Sequence, residues 1–289
     1  MSQNGTVTCA NLGYNVAQII NAYYGGAASV VPMSQVFLGM AATPNGAGYW
    51  LTSALGGVFN EPSSTPWYGS LPASHSTPGG TIVGMVATPD GKGYWLVAQN
   101  GSVYNFGDAG WYGSVASQGI STDIVGMATT ADGKGYWLAA ANGGVFSFGD
   151  AAFHGSLGNS STALTSQIEG IASTPNGQGY WLVSSSGNVY NFNAPWDGST
   201  ASAPPAAPVT GITASRCSAG PSCPVGYYLV TSAGNVFNYG AAHWYGSGTS
   251  SGTPQPFVGL TVDPATGGYW LYNGAGQVYS FNAPYHGNA

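Results

Sequence analysis

Charge is what this 289-residue chain has least of. Only 4% of its residues are Asp, Glu, Lys or Arg, against about 25% in ordinary domains. Three are basic, Lys92, Lys134 and Arg216, and nine are acidic, for a net charge of -6. So few cations cannot neutralise a phosphate backbone, which excludes nucleic acid as a partner. An anionic membrane surface is excluded on the same ground. No apolar run approaches the roughly 18 residues of a membrane helix, so no membrane insertion is expected. Met1-Ser2-Gln3-Asn4 has neither a basic start nor an apolar stretch, so no signal peptide is expected within this chain.

Cysteine is also scarce, at three residues. Cys217 and Cys223 bracket a short insertion and read as a local disulfide, which favours an oxidising compartment. A metal site is the rival reading, but no His or further Cys lies nearby in sequence. Cys9 is left over, either as a small buried residue or as a bond to another chain. Low charge does not mean disorder here, because aromatics make up 13% of the chain. A surface of Ser, Thr, Asn, Gln and Gly suits an extracellular protein, one facing acid or high salt, since few carboxylates limit acid unfolding.

What the chain has is a phrase written six times. Gly-Tyr-Trp-Leu occurs at Gly48–Leu51, Gly93–Leu96, Gly135–Leu138, Gly179–Leu182 and Gly268–Leu271, and is softened to Gly226-Tyr227-Tyr228-Leu229. Its tyrosines are 45, 42, 44, 47 and 42 residues apart, the period of a repeat architecture. The fullest copy begins with an apolar run, Ile124–Thr129, and turns at Ala131–Gly135. Tyr136–Ala140 follows, then Asn142-Gly143, the strongest short hairpin signal. Gly144–Phe148 alternates as a strand does, and Phe153–Ser156 reads as a short fourth strand. From the second aromatic of each phrase to the first Val of the third strand is always eight residues, as in Trp50 to Val58 and Trp137 to Val145. Constant length fixes the hairpin register.

The expected fold is therefore all-β: one β-propeller domain of four-stranded antiparallel blades. A β-solenoid is the alternative, although its coils are usually shorter. Residues 39–289 hold six clear repeats. Residues 1–38 are either a degenerate first blade, giving seven, or an N-terminal arm or helix beside six. Tyr23-Tyr24-Gly25-Gly26 resembles Trp111-Tyr112-Gly113-Ser114, and the spacing favours seven.

Candidate chemistry is thin. Asp108 and Asp150 recur one repeat apart and could pair for acid–base work, but Asn193 and Asn282 hold the same slot, which is turn chemistry. Asp90 and Asp132 belong to turns as well. His154 and His286 occupy the position of Tyr112 and Tyr245, and only these two copies carry His there. No metal, cofactor or catalytic residue is assigned. The aromatic fourth segment is the best binding candidate: Trp67-Tyr68, Trp111-Tyr112, Trp196-Asp197 and Trp244-Tyr245. Exposed, such rings would stack on sugar faces while amides and hydroxyls bond sugar hydroxyls, and repetition would add avidity. Packed between blades, they would be structural, as the Trp of Gly-Tyr-Trp-Leu is expected to be.

Thr88-Pro89-Asp90-Gly91-Lys92-Gly93-Tyr94-Trp95-Leu96-Val97, followed by Asn100-Gly101-Ser102-Val103-Tyr104-Asn105-Phe106-Gly107-Asp108-Ala109, resembles a repeat abundant in secreted proteins of actinobacteria. There it often accompanies cell-wall hydrolase or other extracellular domains. The resemblance spans about 39–289. It implies a propeller and an extracellular or envelope setting, and it carries no catalytic residues to transfer. The expected function is non-catalytic binding of a glycan or cell-wall polymer. The alternatives are a self-assembling subunit, a homo-oligomer or filament of a surface layer, and an enzyme.

Overall fold

A computed structural model describes residues 36–158, 164, 166–215, 225–251 and 256–289. The expectations for residues 1–35, for Cys9 and for the Cys217–Cys223 loop lie outside the described residues. What is described is all-β, without an α-helix, and no helix in it is long and apolar enough to cross a membrane.

Eighteen strands form six three-stranded antiparallel sheets, each in sequence order. Sheet one is β1 (Phe37–Ala42), β2 (Tyr49–Ser53) and β3 (Val58–Glu61); sheet two is β4 (Ile82–Ala87), β5 (Gly93–Ala98) and β6 (Val103–Gly107). Sheet three is β7 (Ile124–Thr129), β8 (Gly135–Ala140) and β9 (Val145–Gly149); sheet four is β10 (Ile168–Ser173), β11 (Tyr180–Ser184) and β12 (Val189–Phe192). Sheet five is β13 (Val209–Ala214), β14 (Gly226–Thr231) and β15 (Val236–Gly240); sheet six is β16 (Phe257–Val262), β17 (Tyr269–Asn273) and β18 (Val278–Phe281).

The middle strand of every sheet is buried along its whole length. It is flanked in its own sheet and covered on both faces, which is why the repeated phrase is a continuous apolar run rather than an alternating one. Every first strand carries a bulge just before its glycine, as between Phe37 and Gly39. The glycine lets neighbouring first strands approach: a Cβ on Gly39 would lie 2.9 Å from the backbone nitrogen of Met85.

Successive sheets are joined the same way each time. The amide of Ile82 donates to Ala54 O (2.9 Å), Ile124 to Gln99 O (2.8 Å), Ile168 to Ala141 O (2.9 Å), Val209 to Ser185 O (2.9 Å) and Phe257 to Ser232 O (2.9 Å). The sixth bond of this set runs from the amide of Phe37 to Gly274 O at 3.0 Å, between sheets one and six. Six apolar cores lie between sheets, each centred on the second aromatic of one phrase and the tyrosine of the next. Trp50 meets Tyr94, Trp95 meets Tyr136, Trp137 meets Tyr180, Trp181 meets Tyr227, Tyr228 meets Tyr269, and Trp270 meets Tyr49.

The expected fourth strand is corrected. The segment after each third strand forms no ladder and runs past it as an irregular strap. Each strap contains a glycine with φ between 124° and 141° (Gly69, Gly113, Gly155, Gly198, Gly246, Gly287), a backbone that no β-strand propagates. Pro66, Pro195 and Pro284 also remove an amide donor from three of the straps.

Candidate functional site

The six straps are built by the buried aromatics beneath them. The indole of Trp50 donates to Pro66 O (2.7 Å), Trp95 to Gly110 O (2.6 Å), Trp137 to Ala152 O (2.8 Å), Trp181 to Pro195 O (2.6 Å) and Trp270 to Pro284 O (2.8 Å). Three positions farther along, the tyrosine of the next sheet takes hold. Tyr94 donates its hydroxyl to Gly69 O (2.5 Å), Tyr136 to Gly113 O (2.6 Å), Tyr180 to Gly155 O (2.6 Å), Tyr227 to Gly198 O (2.6 Å) and Tyr269 to Gly246 O (2.6 Å). The last strap is held by the first sheet, with Tyr49 donating to Gly287 O at 2.5 Å. Burial pushes these phenols up, to about 12 for Tyr94 and Tyr227, so they remain donors over the whole neutral range.

Between the two anchors sits one residue per strap whose side chain leaves the protein: Trp67, Trp111, Phe153, Trp196, Trp244 and Tyr285. These are 48–60% exposed and are the most exposed large apolar side chains described. Four of them were legible from the sequence. Phe153 and Tyr285 were not singled out, although they lie 16 and 15 residues beyond Trp137 and Trp270, the spacing that also marks Trp111 and Trp196.

The residue after each exposed ring turns inward. Tyr68, Tyr112, Asp197 and Tyr245 are half-buried. Tyr68 and Tyr112 donate to Gly91 O (2.8 Å) and Gly133 O (3.1 Å) of the next sheet. His154 packs its ring on Tyr180, and His286 packs on Tyr49 and Trp270. Each expected pair thus splits into one outward and one inward residue.

Trp67 is held further by its indole N–H on Val58 O (3.2 Å). In four sheets an asparagine of the third strand also ties the strap. The Nδ2 of Asn60, Asn105, Asn191 and Asn238 donates to Thr65 O (2.7 Å), Ala109 O (2.7 Å), Ala194 O (2.8 Å) and Ala242 O (2.8 Å). Each accepting carbonyl lies two residues before the exposed tryptophan. Ser147 and Ser280 stand in the asparagine's place in sheets three and six, and their hydroxyls are buried without a partner among the described residues.

A cavity of about 400 Å³ is lined by the first strands of all six sheets, among them Met40, Met85 and Met127. Its walls are methyl-rich, with Thr88, Thr130 and Thr174 also in the lining. The recurring carboxylates act in turns. Asp90 Oδ1 accepts from the Thr88 hydroxyl (2.9 Å) and the Lys92 amide (3.2 Å), and these bonds hold its carboxyl down at about 2. Asp132 is held at about 2 chiefly by the Lys134 amide, at 3.2 Å. Asp150 Oδ1 accepts from the Thr130 hydroxyl at 3.0 Å. Lys92 and Lys134 are the cations among the described residues, and each pairs with its own turn aspartate, at 3.1 and 3.2 Å.

In comparisons with known proteins, no family model matches the chain and no curated protein matches it.

Proposed function

We propose that this chain is an extracellular six-bladed β-propeller that acts without catalysis, binding a carbohydrate or cell-envelope polymer through the exposed aromatics of its straps. Six blades are favoured over seven by the bond from the Phe37 amide to Gly274 O and by the Trp270–Tyr49 core, which repeat between sheets six and one what joins every other neighbouring pair.

The observation that carries the binding reading is the six outward rings, one per repeat, each on a strap clamped on both sides. Exposed rings on a rigid backbone lose little conformational freedom when a flat ligand stacks on them. The surroundings are amides, hydroxyls and glycines rather than charges, which suits a neutral, hydroxyl-rich ligand. Repetition around one molecule suits a repeating polymer. The test is co-sedimentation with insoluble chitin, cellulose and purified peptidoglycan. Retention that falls stepwise as Trp67, Trp111, Trp196 and Trp244 are changed to Ala supports the reading; wild-type protein left wholly in the supernatant sinks it.

A second reading has its own support. Among the described residues, the third strand of each sheet has no strand partner on its outer side, and unpaired edges are templates for association. A self-assembling subunit would show concentration-dependent mass by light scattering, and a constant monomer mass would remove this reading.

A further inference from the structure

We infer that the binding edge is not six equal sites but two, Trp67 with Trp111 and Trp196 with Trp244, set on opposite sides of the ring, with Asn60, Asn105, Asn191 and Asn238 as their positioning residues. This rests on the carbohydrate reading above and narrows it. Around the ring the outward residues run Trp, Trp, Phe, Trp, Trp, Tyr. The residue that ties the strap runs Asn, Asn, Ser, Asn, Asn, Ser over the same sheets. The two sequences are in register: every tryptophan stands on a strap tied by an asparagine, and neither Phe153 nor Tyr285 does. His154 and His286 follow the two untied rings and no others.

The tie has a physical consequence. An asparagine amide bonded two residues before the tryptophan adds a third fixed point to a strap already held just before and just after the ring. Where serine stands instead, the hydroxyl is too short to reach and is left buried and unpaired. The tied straps therefore present the larger ring on the stiffer backbone. The asparagines also keep bonding capacity for a ligand. Among the described residues, none donates to the Oδ1 of Asn105, Asn191 or Asn238, and none accepts the second Nδ2 hydrogen of these three. A flat indole beside an amide that both donates and accepts is the recognition chemistry of a neutral sugar, the ring meeting its C–H face and the amide its hydroxyls. Sheets three and six interrupt the arrangement and separate the two loci, so one molecule can hold two polymer strands.

Calorimetric titration of the full chain with the hexasaccharides of β-1,4-linked N-acetylglucosamine and glucose tests this. The expected stoichiometry is two hexasaccharides per chain, falling to one in W67A/W111A and remaining two in F153A/Y285A. N105S is expected to weaken one locus about fivefold, the equivalent of one lost hydrogen bond. Serine stands natively at 147 and 280, so that variant keeps the fold. The reverse change, S147N with F153W, is expected to strengthen binding, which a merely structural asparagine would not do. Six equivalents, an equal loss in F153A/Y285A, or an unchanged affinity in N105S overturns the two-locus arrangement while leaving the carbohydrate reading standing. No binding of wild-type protein to either hexasaccharide or to the three insoluble polymers overturns that reading itself, and the loci with it.

Discussion

Tyr228 donates its hydroxyl to the carbonyl of His243 at 2.8 Å, the bond that an indole N–H makes in the five other sheets. The one departure from Gly-Tyr-Trp-Leu thus keeps the donor while changing the ring. The phrase is held constant less by ring size than by the need for a buried donor aimed at the strap.

Tyr228→Phe removes that donor and leaves the His243 carbonyl unpaired. Urea denaturation is expected to show a loss of about 1–3 kcal/mol. Tyr228→Trp, which restores the residue of the other copies, should cost less than Tyr228→Phe. The opposite ranking would mean that volume, not the hydrogen bond, fixes this position.

Removing residues 284–289 strips the carbonyl partner of Trp270 and that of Tyr49 together. The truncated chain is expected to lose at least about 2 kcal/mol and to expose the core between sheets six and one. Hydrogen exchange should speed up first in β1 and β17. Uniform exchange across all six sheets would contradict the seam.

Gly39→Ala and Gly126→Ala are the same change at equivalent positions with different outcomes. At Gly39 the new methyl meets Thr52 Cγ2 at 2.8 Å and Met85 N at 2.9 Å; at Gly126 the nearest atom, Ile171 Cγ2, is 3.4 Å away. The first is expected to cost about 1–3 kcal/mol and the second to stay within about 1 kcal/mol. Equal melting temperatures for the two variants would refute the close approach of β1 and β4.

Ser147→Asn and Ser280→Asn supply the amide that the other four sheets carry and remove a buried, unpaired hydroxyl. Each is expected to stabilise by about 0.5–1.5 kcal/mol, read as a rise in melting temperature. A fall would show that these two straps cannot accept the longer side chain.

Stability should respond to pH asymmetrically. Burial raises the pKa of Tyr94, Tyr227 and Tyr228 from 10.0 to about 12. Between those values the unfolded chain has released protons that the folded chain retains, so stability present below pH 10 is lost as pH climbs toward 12. On the acid side Asp90 and Asp132 are lowered to about 2, but both are fully exposed. What they add is present above 3.8 and fades below it. Glu61, raised by burial, acts in the opposite sense. A melting temperature nearly flat from pH 7 down to about 4 and falling steeply above pH 10 is expected from thermal scans.

The repeat, its register and its three hairpin-linked strands were legible in the chain, because period, turn residues and eight-residue spacing are local properties. Asn142-Gly143 and the Thr-x-Asp turns formed as their chemistry requires. The sequence also marked four of the six exposed rings. Tertiary structure decided the rest. Phe153–Ser156 reads as a strand on paper, but a strap glycine in a positive-φ conformation, together with anchors from two different sheets, holds that segment off the ladder. Which member of each aromatic pair faces water depends on where the next sheet's tyrosine sits, a contact some two dozen residues away in sequence. Trp67 and Tyr68 are both large aromatics; the packing of Tyr68 on Tyr94 and its bond to Gly91 O make it a wall, while Trp67 stays a surface.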